Sequence, residues 1–126
     1  MSKVVHFEIP ADDPERAVSF YRDVLGWQSS RFGDDPYWLI QAGEEGELGA
    51  DGAIAGRDEI HRVPVVVASV EDIVAALERV TAHGGVIVQE QLPVPGMGWS
   101  AYFKDPEGNT VGLFQSDQTA GLGGRR

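Results

Sequence analysis

The chain contains no cysteine in its 126 residues. Disulfides, thiolate metal ligands and a cysteine nucleophile are therefore excluded together. The absence fits a reducing compartment, and a cytoplasmic location is expected. Positive charge is scarce as well: ten Lys and Arg stand against twenty Asp and Glu, giving a formal net charge of −10 and a pI near 4.5. A surface of that sign is a poor candidate for neutralising a phosphate backbone, so no nucleic-acid partner is expected. The charge favours solubility, and in a sharper reading it attracts a cationic ligand. No apolar run approaches the ~20 residues of a membrane-spanning helix, so no membrane partner is expected either. The opening residues Met1-Ser-Lys-Val-Val-His6 enter a strand pattern directly, without the apolar stretch of a secretion signal.

Hydrophobic residues make up 42% of the chain, enough to build a core for one domain or for two small modules sharing a sheet. The most legible stretch runs from Trp99 to Gln115. Asp105-Pro106-Glu107-Gly108 has the residues of a type I turn, and Gly108 can take the positive φ that closes a hairpin. The turn joins two β-prone runs, Ala101-Tyr102-Phe103 and Thr110 to Phe114. Alternation puts Val111 and Leu113 on one face of the second run and Thr110, Gly112 and Phe114 on the other. A glycine inside a strand marks a place where something approaches closely.

Upstream, Val4 to Ile9 alternates as a strand, with Phe7 and Ile9 on one face and His6 and Glu8 on the other. Pro10 is expected to end it. Asp12 or Asp13 can cap a helix carrying Pro14 and Glu15 in its first turn, and Gly26 can stop it. Its apolar stripe is Ala17, Phe20, Tyr21, Val24 and Leu25. Strands are expected at Trp27–Phe32 and Tyr37–Gln41, with a weak one at Gly52–Ala55. The pattern then recurs. Val63–Ala68 is a strand, and Glu71–Ala82 is a helix with Ser69 as a plausible cap and Ile73, Val74, Leu77 and Val80 on its stripe. Val86–Val88 is a strand, and Leu92–Gly98 is a Pro- and Gly-rich loop leading to the hairpin.

The order is strand, helix, three strands, twice over. Setting Asp13 opposite Asp72 aligns the helices, and the same offset sets His6 opposite Val65 and Ala53 opposite Gly112. One βαβββ unit cannot bury its own sheet face, whereas two together can. The expected fold class is α+β: two tandem βαβββ modules forming a curved mixed sheet around a cavity, with helices outside. The modules are placed at 1–58 and 59–116, making one domain over 1–116, with 117–126 as a flexible tail.

Two stretches carry a resemblance to a known family: His6-Phe-Glu-Ile-Pro-Ala-Asp-Asp-Pro-Glu-Arg-Ala-Val-Ser-Phe-Tyr-Arg-Asp-Val-Leu-Gly-Trp27 and Pro95-Gly-Met-Gly-Trp-Ser-Ala-Tyr-Phe-Lys-Asp-Pro-Glu-Gly-Asn109. Together they resemble the vicinal oxygen chelate superfamily, which includes glyoxalase I, bleomycin-resistance proteins, fosfomycin-resistance enzymes and extradiol dioxygenases. They look most like its glyoxalase-like branch. The resemblance implies metal ligands on the first and last strands of each module, which here are His6, Ala53, Val65 and Gly112. Only His6 can donate to a metal, and a lone His supplies neither the ligand count nor the geometry of a site. No protein-held metal and no other cofactor are therefore expected. Glu8 and His61 would add ligands only in a rearranged site.

What remains is a pocket for a small molecule, aromatic or cationic, lined by His6, Glu8, Trp38, Val65, Val67, Trp99, Ser100, Tyr102, Gly112 and Phe114. Ser100 and Tyr102 match substrate-contacting positions in the fosfomycin-resistance enzymes. A plainer reading stands beside this one: Trp38 and Trp99 are core, Tyr102 is an ordinary strand residue, and His6 is a hydrogen-bonded core histidine. The expected function is binding of a small organic molecule without a metal, as the bleomycin-resistance proteins do, in drug binding or small-molecule metabolism. The alternative is a lyase, isomerase or hydroxylase-like enzyme using His6 and Glu8 as an acid/base pair. Superfamily members commonly pair across a two-fold axis, so a homodimer is expected. His6, Tyr102 and Trp99 are expected to face the cavity, with Phe7, Ile9, Val111 and Leu113 packed against Phe20, Val24, Leu77 and Val80 of the helices. Gly112 is expected to leave room for ligand, so that Gly112→Glu crowds the pocket at little cost to stability.

Overall fold

The structure is a computed structural model describing residues 1–122. The class is α+β, and the element order is β1 (Val4–Ala11), α1 (Pro14–Leu25), β2 (Gln28–Arg31), β3 (Tyr37–Gln41), β4 (Asp51–Gly56), β5 (Val65–Ser69), α2 (Ile73–Ala82), β6 (Val86–Val94), β7 (Gly98–Lys104) and β8 (Thr110–Ser116). The chain divides into two compact units. The first is Val5–Val66, and the second is Met1–Val4 with the chain from Val67 onward. His61 thus falls in the first unit.

Within the first unit the strands run β2-β3-β4-β1, with β1 parallel to β4 and the other pairs antiparallel. Within the second they run β6-β7-β8-β5, with β5 parallel to β8 and the others antiparallel. The repeat extends to register. Glu8 lies opposite Ala53, and Val67 lies opposite Gly112, so the two ladders match at the same offset that aligns the helix caps.

Asp13 caps α1, its Oδ1 accepting from Arg16 N–H at 3.1 Å, with Pro14 in the first turn. Gly26 ends the helix at φ 75°, a left-handed conformation open to glycine without a Cβ penalty. The cap of α2 is Asp72, whose Oδ1 accepts from Ala75 N–H at 3.1 Å, and not Ser69. Ser69 is still in strand β5, where its N–H donates to Lys3 O at 2.9 Å, so it stands too early to cap.

Several other expectations are corrected. Strand β1 runs through Pro10 to Ala11, because a strand donates to a given neighbour only from alternate residues and one missing N–H need not interrupt pairing with β4. Strand β6 continues to Val94 and includes Pro93. It has one strand partner in its unit, β7, and proline is tolerated at such an edge. Strand β4 is not weakly packed: Gly52 to Ala55 are buried, and a Cβ on Gly52 would collide with the ring of Phe7. Its small side chains are what let Phe7 lie against the strand.

Each helix packs on one face of the strands of its own unit. In the first unit Ala17, Val18 and Tyr21 of α1 pack on Ala11, Ile40 and Ile54 with Phe7, Ile9, Trp27 and Trp38. Tyr21 stacks on Trp27 at 5.0 Å between centroids. Phe20 and Val24, expected on this face, are 58% and 59% exposed; the face toward the sheet is taken by Ala17, Val18 and Tyr21. In the second unit Ile73, Ala76 and Leu77 pack on Ala101 and Leu113.

The tail expected from residue 117 is tied down as far as Leu122. Asp117 Oδ2 accepts from the indole N–H of Trp99 at 3.0 Å, Gly96 N–H donates to Ala120 O at 2.9 Å, and Ala120 is fully buried. The rest of that tail, 123–126, lies outside the described residues.

Candidate ligand site on the first unit

The first unit places His6, Glu8, Tyr37 and His61 in one hydrogen-bonded chain. His6 and Glu8 are two residues apart on β1 and share its face away from α1. Tyr37 begins β3, opposite Ala55 of β4, and reaches both of them. Its hydroxyl donates to Glu8 Oε2 in a short hydrogen bond. His6 Nε2 lies 2.8 Å from the same hydroxyl oxygen and 3.7 Å from Glu8 Oε2. The His6 and Tyr37 rings stack with an interplanar angle of 19°.

His61 arrives from the loop after β4. Asp58 Oδ1 accepts from the N–H groups of Ile60 at 2.9 Å and His61 at 2.7 Å, an Asx-type turn that fixes the loop and aims the imidazole inward. His61 Nε2 then lies 2.7 Å from Glu8 Oε1, and Nδ1 lies 3.1 Å from Asp58 Oδ1. The Glu8 side chain is 3% exposed, His61 is 9% and His6 is 26%, so the chain runs from a buried carboxylate to a part-open imidazole.

Burial opposes ionisation of Glu8. The His6 imidazole 3.7 Å away, hydrogen bonds from His61 and Tyr37, and the charge of His61 outweigh it and hold the carboxyl far below the usual carboxylate range. Burial likewise works against charging His61, but the Glu8 and Asp58 carboxylates win and raise its pKa above the ordinary 6.5. Glu8 is therefore an ionised anchor and a poor proton acceptor.

The other expected site residues divide by face. Ser100 and Tyr102 lie opposite Phe114 and Gly112 in the β7–β8 ladder of the second unit. Val67 lies beside Gly112, and Val65 is 1% exposed. Trp99 and Trp38 lie on the helix-facing sides of their own units. Trp99 packs toward α2 with Ala101 and Phe103, and Trp38 packs toward α1 while the Arg31 guanidinium sits 4.8 Å over its ring. The reason is parity: Trp99 and Tyr102 are three apart on one strand, so they point to opposite faces. Gly112 does not leave open room either. A Cβ there would meet Val67 Cγ2 at 2.9 Å and Tyr102 Cε1 at 3.0 Å.

Tyr37 was not legible as a site residue, whereas His61, named with Glu8 from the sequence, does lie beside that carboxylate. Tyr37 reads as the first residue of a strand. The Asp58-Glu-Ile-His61 spacing, an Asx turn aiming a histidine, is the signal that could have marked the loop.

Three of the four matching ligand positions supply nothing to a metal. Ala53, Val65 and Gly112 offer no ligand atom, and both Glu8 oxygens already receive protein donors. Among the described residues, no group of three or more His, Asp or Glu side chains is arranged to hold an ion.

The fold agrees with the comparisons. The Glyoxalase/Bleomycin resistance protein/Dioxygenase superfamily model matches residues 3–113, and the chain belongs to that family. It is 31% identical to a lactoylglutathione lyase of Haemophilus influenzae, over 96% of this chain and 98% of that one. Among solved structures, methylmalonyl-CoA epimerase from Mycobacterium tuberculosis superposes with a TM-score of 0.64 at 19% identity, over 90% of this chain and 87% of that one. The Mn(II)-bound glyoxalase from Novosphingobium aromaticivorans superposes with a TM-score of 0.63 at 20% identity, over 96% of this chain and 42% of that one. At these identities the two structures speak to the fold alone. No helix among the described residues is long and apolar enough to cross a membrane.

Proposed function

We propose that this chain binds a small organic molecule, aromatic or cationic, without a protein-held metal, and that His6 is the group that meets it. One observation carries this reading. Glu8, the carboxylate nearest His6, is buried and engaged at both oxygens by Tyr37 and His61, so it supports the site and is not left over as a ligand for an ion. His6 is the part-open end of that chain. A ligand that binds only the native state raises Tm, so a thermal-shift screen of aromatic and cationic compounds tests the proposal. Shifts that persist in excess EDTA support it. One Zn, Ni, Mn or Fe per chain after dialysis, with ligand shifts abolished by EDTA, overturns it.

A second reading is favoured by the near full-length likeness to a lactoylglutathione lyase. In it the site catalyses proton transfer with His6 as base, and Glu8 orients it through Tyr37, because so acidic a carboxyl cannot serve as base itself. Turnover of lactoylglutathione by the purified chain, lost in His6→Ala, would establish it. Inactivity at high enzyme concentration would leave binding as the function.

A further inference from the structure

The hydrogen-bond chain fixes which nitrogen of His6 carries the proton. A tyrosine hydroxyl has one proton to give, and Tyr37 gives it to Glu8 Oε2. The Tyr37 oxygen facing His6 Nε2 at 2.8 Å must then be the acceptor, so Nε2 is the N–H. A neutral imidazole has a single N–H, which leaves Nδ1 with a lone pair. Nδ1 makes no hydrogen bond to any described residue, yet it is not a buried, unsatisfied atom. It is therefore open to solvent, on a side chain that is 26% exposed.

We propose that His6 is held as its Nε2–H tautomer and presents Nδ1 as a fixed hydrogen-bond acceptor, so that the site selects ligands bringing an N–H or O–H donor, such as an arylalkyl-ammonium or a phenol, and rejects carboxylates. This rests on the metal-free reading above and names the ligand class for the same site. A carboxylate placed at Nδ1 sets acceptor against acceptor and leaves both unpaired, which is costly once water is excluded. The nearby fixed charge points the same way: the Glu8 carboxylate lies 3.7 Å from the His6 imidazole, and the whole chain carries −10. Tyr37 is the positioning residue, because its committed proton sets the tautomer.

The test is nitrogen NMR of histidine-labelled protein at about pH 8, where an ordinary imidazole is neutral, titrated with benzylammonium, phenol and benzoate. In the free protein His6 should show a lone-pair Nδ1 and a protonated Nε2. Benzylammonium and phenol should shift the Nδ1 resonance, and benzoate should bind about tenfold more weakly or worse. The Y37F variant should mix the two tautomers and narrow the discrimination. An Nδ1–H tautomer in the wild type, benzoate binding as tightly as benzylammonium, or no response to any probe overturns the inference. None of these outcomes touches the metal question, which the EDTA arm decides separately. The wild-type tautomer needs no variant, so the test survives a Y37F chain that fails to fold.

Discussion

The Nε2 atom of His61 lies 2.7 Å from Oε1 of Glu8, an ion pair between two nearly buried side chains that are 53 positions apart in sequence. It ties the loop after β4 to the middle of β1. Removing one member strands the other as an uncompensated buried charge, which is the expensive way to break such a pair. His61→Ala should lower stability by about 3 kcal/mol, seen as a reduced urea midpoint at unchanged slope. The double variant Glu8→Gln with His61→Ala should recover part of the loss. A His61→Ala midpoint equal to that of the wild type would show that the pair contributes nothing.

The same pair sets a pH window. The folded pKa of Glu8 lies below its ordinary 4.5, so its contribution is present above that value and is lost as pH falls toward the folded pKa. The folded pKa of His61 lies above its ordinary 6.5, so its contribution is complete below 6.5 and is lost as pH rises through the folded value. Stability should therefore be greatest between about 4.5 and 6.5 and decline on both sides. Urea midpoints across pH check this. His61→Gln should flatten the alkaline limb, and an unchanged limb in that variant would assign the loss to another group.

Gly112 is closed over by Val67 and Tyr102. Gly112→Ala should already cost about 1–3 kcal/mol through overpacking, and Gly112→Glu should cost more, since it also brings a carboxylate to a buried strand position. Thermal denaturation of the two variants checks the order. A Gly112→Glu chain as stable as the wild type would show that Tyr102 swings aside without strain.

A homodimer is expected in solution, and α1 offers a reason. Phe20, Val24 and Leu25 are all more than half exposed, an apolar ridge that a monomer would leave in water. Light scattering should give about twice the 13.6 kDa of a single chain. Phe20→Asp should reduce the mass to one chain if this ridge is the contact, and a wild-type mass near 14 kDa at micromolar concentration would reject the dimer.

Much of the fold was legible because its signals are local. Asp13, Pro14 and Gly26 bracket α1, and Asp105-Pro-Glu-Gly108 turns between β7 and β8, Gly108 N–H donating to Asp105 O at 3.0 Å. The repeat was legible because the order of elements recurs and Asp13 aligns with Asp72, although the capping role of Asp72 emerges only in the structure. The site was only half legible. Alternation put His6 and Glu8 on one face, but what occupies that face depends on long-range contacts that no local pattern carries: Tyr37 from β3 and His61 from a loop. The tryptophans misled because a large aromatic side chain fits a pocket wall and a helix-facing core equally well, and only strand parity separates the two for Trp99 and Tyr102.

The matched registers of the two units make the chain its own control. Where the first holds Glu8 beside Ala53, the second holds Val67 beside Gly112, an isopropyl group where its counterpart has a carboxylate. The second unit builds the same ladder with no ion pair at that point. Architecture alone therefore does not require Glu8 and His61, and a concerted exchange of both for apolar side chains should leave the scaffold standing while erasing the chemistry around His6.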